Sequence, residues 1–471
     1  MRQKANAPRA RLELAVVALG VLLLGLTPCP RAFTEALRQA EAHRANREYG
    51  AALEGTNRAA RLDPESPLPG QRMGEVLLAQ HRWVEATIAL REAERLGGGV
   101  DAVLALGESY AGRGDWAAAI PTWLRAQALA PDDVRAYVAL GRGLIAQGQF
   151  EPAARYLTSA LQLEPAHPGA HALLGRLLMA DDAGAGPPVA QAAEHLRQAG
   201  DGDLLAVLEA TEAESDPARR ALVLGAAFLQ RDELTLARQH LERAVALDPT
   251  SAEALAYLAH TLDRQGETVA AEVLLTQALE LDSESALAYY FLGVHERLVG
   301  NVERAQAALE QALQRDPENA ALHVELGETL VALGDYAAAE EWYAGAVEIA
   351  PENVEFHLIL AHFYLDHLYR VAEGGVPAAE AAVDQAPDDA RAHDLLGWAY
   401  RLAGDPSGAV AELRLALALD PDLVSALYHL GSLYAAFGQR EPAREYLQRA
   451  ADLDTGGYYR LRAEQLLGDL R

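Results

Sequence analysis

A chain of 471 residues exceeds one ordinary hydrophobic core of about 100–200 residues, so it holds several domains or an array. Hydrophobic residues make up 51 % and aromatics only 6 %, with Ala and Leu dominant, which suits helices and argues against a strand-rich fold. The 40 basic residues against 68 acidic ones, a net charge of −28, include no segregated basic patch, which argues against nucleic acid as a partner.

In chain order, the first predicted element is residues 1–32. Arg2, Lys4, Arg9 and Arg11 precede an apolar run, "AVVALGVLLLGL", from Ala15 to Leu26. Basic residues followed by a short apolar stretch make a secretory signal or a membrane anchor. The run is shorter than the ~20 residues of a clean span, and Pro28 and Pro30 leave no tidy A-x-A cleavage site. "LTPC", ending at Cys29, is similar to a bacterial lipoprotein signal, although Pro28 stands where a small residue is expected. Cleavage, lipidation and retention all stay open. The expectation is a bacterial envelope protein, anchored or exported, with everything after Phe33 extracytoplasmic; a cytoplasmic location is the alternative. Cys29 is the only cysteine. It excludes an intramolecular disulfide and a cysteine-based zinc site, and leaves the compartment undecided.

Beyond residue 33 the chain repeats itself. "LTSALQLEP" (Leu157–Pro165), "LERAVALDP" (Leu241–Pro249), "LEQALQRDP" (Leu309–Pro317) and "LRLALALDP" (Leu413–Pro421) end successive segments alike. Leu292, Gly293, Ala305, Leu309, Ala312 and Pro317 recur 34 residues on as Leu326, Gly327, Ala339, Tyr343, Ala346 and Pro351. A fixed period of this kind is the mark of a solenoid. In the unit from Ala286, Tyr289, Leu292, Gly293 and Glu296 share one helical face. Gly293 and Ala305 are small enough for two helices to approach, and Ala305, Ala308, Leu309 and Ala312 form the facing stripe. Gly300–Asn301 breaks the chain between the helices, and Asp316–Pro317 ends the unit, because proline disfavours helix in the residue before it and suits a helix start. A single hairpin cannot bury its own face; stacked neighbours bury it together.

The pattern resembles the tetratricopeptide repeat, W-x2-L-G-x2-Y, A-x3-F, then P. The resemblance runs from about Phe33 to Thr455 and implies an all-α right-handed solenoid of about twelve antiparallel helix hairpins. The units start near Phe33, Pro67, Val100, Val134, Pro168, Ala218, Ala252, Ala286, Ala320, Val354, Ala390 and Val424. The expected organisation is an array over 33–199, an irregular spacer at 200–217, a second array over 218–455 and a capping helix at 456–471. A loop insertion, "DDAGAGPP" at Asp181–Pro188, and a two-residue lengthening near Arg370–Glu380 depart from the period. Whether 181–217 breaks the superhelix stays open.

No stretch outside the repeats is long enough for a catalytic domain, and no phosphate-cradling loop, nucleophile elbow or H-E-x-x-H occurs. The expectation is a non-enzyme without cofactor or metal. His357, His362 and His367 point about 140° apart on a helix and share no face; His362 and Asp366 do, at i and i+4.

The resemblance implies that the first helix of each unit lines a concave groove in which a peptide or partner protein lies, through its fifth, ninth and twelfth positions. In the second half these read Ala256, His260 and Asp263; Tyr290, Val294 and Arg297; Val324, Glu328 and Val331; Leu358, His362 and Leu365; Asp394, Trp398 and Arg401; Tyr428, Ser432 and Ala435, with Tyr257 and Arg264 alongside. Aromatic and arginine residues are typical anchors. The expected contacts are Tyr257, His260, Arg264, Tyr290, Arg297, Glu328, His362, Asp394, Trp398, Arg401 and Tyr428. The lysine-rich clamp of co-chaperones that grip acidic heat-shock-protein tails is absent, since no lysine follows Lys4. The expected function is a protein-binding scaffold; the alternative is an accessory subunit of a separately encoded envelope enzyme or export system, such as a glycosyltransferase or polysaccharide exporter.

Overall fold

The computed structural model describes residues 30–180, 187–212 and 214–470. Among them the chain forms 26 α-helices and no strand, arranged as stacked antiparallel pairs. None of these helices is long and apolar enough to cross a membrane. The apolar run at 15–26, the "LTPC" stretch and the 181–186 part of the insertion lie outside the described residues.

The chain forms two compact units. The first takes in the described residues up to Pro131 together with Ala451–Leu461; the second takes in Asp132–Ala450 and the residues from Arg462 on. Three hairpins build the first unit: Pro30–Ala45 with Tyr49–Leu62, Leu68–Ala79 with Trp83–Arg95, and Val100–Ala111 with Trp116–Leu129. Their helices pack glycine against bulk. A Cβ on Gly74 would sit 2.3 Å from Leu90 Cγ, and one on Gly107 would sit 2.1 Å from Trp123 Nε1. Leu90 and Trp123 are accordingly fully buried. Ala451–Leu461 belongs here because Asp452 Oδ1 accepts from the Gly50 amide at 2.8 Å, and the Arg460 guanidinium donates to the Gln80 carbonyl at 3.4 Å.

The second unit repeats the hairpin with the expected internal chemistry. In Ala286–Leu298 and Val302–Arg315, Ala305, Ala308, Leu309 and Ala312 form the buried stripe. A Cβ on Gly293 would stand 2.5 Å from Leu309 Cγ, so the glycine is what lets the two helices meet. Burying one such leucine contributes about 1.5–3 kcal/mol. Helix starts are capped two or three residues after the terminal Asp-Pro or Ala-Pro: Asn319 accepts from the Ala321 amide and Asn353 from the Glu355 amide, each cap contributing about 1 kcal/mol. Gly334, at φ +78°, closes the first helix of its unit in the left-handed conformation, which other residues adopt only at a cost.

Both departures from the period have a structural form. The 200–217 spacer carries a helix of its own, Gly202–Glu212. At its start the Asp201 carboxylate pairs with Arg176 at 3.1 Å and Arg231 at 3.0 Å, one from each side of the extra helix. Beyond it, Leu234–Leu247 contacts both Val134–Ala146 and Pro168–Ala180. The lengthening after Val354–Asp366 is taken up by a π-helical turn, Val371–Gly375, which leads into Val376–Gln385. Leu368 and Arg370 precede it at φ +50° and +44°. Arg370 is held by Glu340 at 2.8 Å, and Tyr364 donates to the same carboxylate at 2.6 Å.

A second regularity concerns histidine. His171, His357 and His393 each stand six residues after a unit-ending proline, at the tryptophan position of the repeat pattern. Each donates Nε2–H to that proline's carbonyl, at 2.9, 2.8 and 2.9 Å. The imidazole thereby stitches a first helix to the turn that precedes it, using a carbonyl that lies in the turn between two helices.

Candidate functional site

The first helices of three consecutive units, Ala286–Leu298, Ala320–Leu333 and Val354–Asp366, contribute to one recess of about 480 Å³. Arg297, Glu328 and His362, expected from the repeat register to face a groove, line it together. Its apolar walls are Val331, Ala332, Ile359 and Phe363, with Tyr343 from the second helix Tyr336–Ile349. Asp366 and His367 complete it just before the π-helical turn, an irregularity that often accompanies functional sites.

The polar side of the recess is acidic. The Arg297 guanidinium is shared between Glu325 Oε2 at 2.6 Å and Glu328 Oε2 at 3.0 Å. Glu325 is the deeper of the two, with 19 % of its side chain exposed against 46 % for Glu328. Burial raises its pKa, while the Arg297 charge pulls the other way. Tyr290 hydrogen-bonds the same Glu325, and burial, with that carboxylate's charge, pushes its phenol up to about 12. His362 Nδ1 lies 3.5 Å from Asp366 Oδ2, both well exposed. The described residues hold no group of three or more metal-ligating side chains.

The other expected contacts fall into two clusters outside this recess. In the first, Tyr257 and His260 pack on Phe291 of the next unit, edge-on at 5.4 Å and stacked at 4.5 Å. His260 Nδ1 is buried without a hydrogen-bond partner, and Arg264 pairs with Asp232 at 2.7 Å. In the second, Asp394 is buried and accepts from His429 Nδ1 at 2.8 Å. Trp398 stacks on that imidazole at 4.2 Å, and Arg401 lies over Trp398 at 4.8 Å while donating to Ser432 Oγ at 2.5 Å. Burial lowers the Arg401 pKa. Tyr428 stands edge-on beside His429. In both clusters side chains at groove register join one unit to the next. Leu358 and Leu365, at the same register, are buried in the core.

Sequence reasoning missed Glu325, Ile359, Phe363 and the buried His295–Asp263 pair, whose Nδ1–Oδ1 distance is 2.9 Å. Glu325 was within reach, being one helical turn before Glu328. The His295 pairing joins different units, and nothing local announces it.

Repeat models match the chain from residue 72 to residue 455: one at 72–134, 299–354 and 372–424, a second at 144–185 and 228–293, and a third at 424–455, each described as a tetratricopeptide repeat. No curated protein matches it. Among solved structures it is similar to yeast Tom70, at 16 % identity over 93 % of this chain and 96 % of that one, with a TM-score of 0.43. It is also similar to a tetratricopeptide repeat protein from Parabacteroides merdae, at 18 % identity over 54 % and 98 % of the two chains and a TM-score of 0.41. PilF of Pseudomonas aeruginosa matches at 21 % identity over 45 % and 95 %, with a TM-score of 0.37. With its hairpins, its 34-residue frame and these repeat matches in agreement, the chain belongs to the tetratricopeptide repeat proteins.

Proposed function

We propose that this chain is a protein-binding scaffold whose partner docks in the recess formed by the units from Ala286, Ala320 and Val354. One observation carries the reading: Arg297, Glu328 and His362, drawn from three successive first helices, converge on a single cavity with apolar walls. A few polar groups around an apolar recess are the usual make-up of a recognition site. Photo-crosslinking tests it. A benzophenone side chain at position 332, inside the recess, is expected to capture the partner in the host cell. The same group at position 310, on the exposed side of a second helix, is expected to capture none. Capture from 310 with none from 332 would move the interface to the outer face.

The scaffold reading includes a tether. Arg2, Lys4, Arg9 and Arg11 followed by the apolar run Ala15–Leu26 support membrane attachment or export, with the repeats extracytoplasmic. A tagged full-length protein is then expected in the membrane or exported fraction and to be digested by protease added outside. Recovery in the cytosol, intact, would refute the tether without touching the groove.

A further inference from the structure

The charge and the apolar lining of the recess narrow the class of partner. The recess is lined by one arginine, Arg297, and by two carboxylates, Glu328 and Asp366. Glu325 and Glu328 share the Arg297 guanidinium, and Asp366 is set against a histidine. Glu328 keeps 46 % and Asp366 66 % of its side chain exposed, so both retain acceptor capacity toward a ligand. Beside them the lining is apolar, through Ile359 and Phe363.

We propose that the recess takes a segment of a partner protein in which an arginine or lysine is flanked by aliphatic residues. The inference rests on the docking reading above and adds the chemistry of the ligand. Its cation would sit between Glu328 and Asp366, where a bidentate carboxylate partner favours a guanidinium, and its aliphatic neighbours would cover Ile359 and Phe363. An acidic segment would meet uncompensated carboxylates and a chain of net charge −28, which repels it at long range as well.

Fluorescence anisotropy on the full chain tests this with three labelled nonapeptides that share an Ala/Leu frame and differ only in a central arginine, glutamate or glutamine. The arginine peptide is expected to bind at least about ten-fold more tightly than either twin, and to weaken as salt is raised. The double variant E328Q/D366N is expected to lose about ten-fold of the arginine peptide's affinity while its helical circular dichroism stays unchanged. Equal or tighter binding of the glutamate or glutamine peptide would overturn the proposal. So would an arginine-peptide affinity untouched by the double variant. Ala332→Trp separates the two levels, because position 332 is exposed and the indole would fill the recess. If the glutamate or glutamine peptide binds best and is lost in Ala332→Trp, the charge assignment fails and the groove stands. If Ala332→Trp leaves the binding of every peptide unchanged, the groove reading fails with it.

Discussion

His260 holds its ring 4.5 Å from Phe291, and burial, helped by the positive charge of Arg264, lowers its pKa to about 4. The unfolded ring titrates near its ordinary value of about 6.5, so the folded state favours the neutral imidazole. Its contribution is complete above about 6.5 and shrinks as pH falls toward 4. His195 and His323 carry shifts of the same sign, also led by burial. Asp263 and Glu325 are raised by burial and oppose them on acidification. The expected outcome is a urea midpoint that drops more between pH 7 and pH 5 in the natural protein than in His260→Phe, which keeps the stacked ring and removes the titration. Since the carboxylates and the other histidines are common to both proteins, the difference in slope isolates His260. Parallel slopes would show that its burial is not coupled to folding.

At the level of the hairpin, the decisive contact is glycine on leucine. A side chain at Gly293 must displace Leu309 Cγ, which stands 2.5 Å from where its Cβ would lie. Gly293→Val is expected to cost ~1–3 kcal/mol by overpacking. Because each repeat touches only its neighbours, hydrogen exchange is expected to speed up mainly over residues 286–315. Protection over 424–447 is expected to hold; a uniform loss along the unit would mean that the array unfolds as one body. Gly300→Ala makes a useful contrast. Gly300 sits at φ +86° with nothing within 4 Å of an added Cβ, so its cost of about 1–2 kcal/mol comes from the backbone alone. These hairpins were readable in the sequence because the 34-residue period places glycine, alanine and leucine at fixed offsets, and packing between adjacent helices depends on little else. The groove was readable only in part. Register brings Arg297, Glu328 and His362 together, yet Tyr257, His260, Trp398 and Arg401, at or beside the same register, pack against Phe291, His429 and Ser432 of the next unit. Which of the two a residue does depends on the size and polarity of its counterpart one unit on, and the repeat pattern leaves that position free to vary.

At the scale of the whole chain, the segment Ala451–Leu461 belongs to the same compact unit as the first three hairpins. Asp452 meets Gly50 across 402 residues of sequence. Its carboxylate is buried and accepts from an amide in the first turn of Tyr49–Leu62, where the unpaired amides and the helix dipole both favour a negative charge. That helix has no side-chain cap of its own, since Glu48 at the N-cap makes no such bond. A residue from the other end of the chain therefore does what Asn319 and Asn353 do within their own units. Hydrogen bonds to a charged group contribute about 1.5–3 kcal/mol, of which an exposed helix end recovers part from water. Asp452→Ala is expected to cost about 1–2 kcal/mol locally, a roughly 5–30-fold acceleration of exchange over residues 49–62. Asp452→Asn keeps an acceptor oxygen without the charge and should restore part of the protection. Exchange over 320–366, in the other unit, is expected to stay as it was, which separates loss of the cap from general destabilisation. Unaltered exchange over 49–62 in Asp452→Ala would show that the first unit stands without its C-terminal segment.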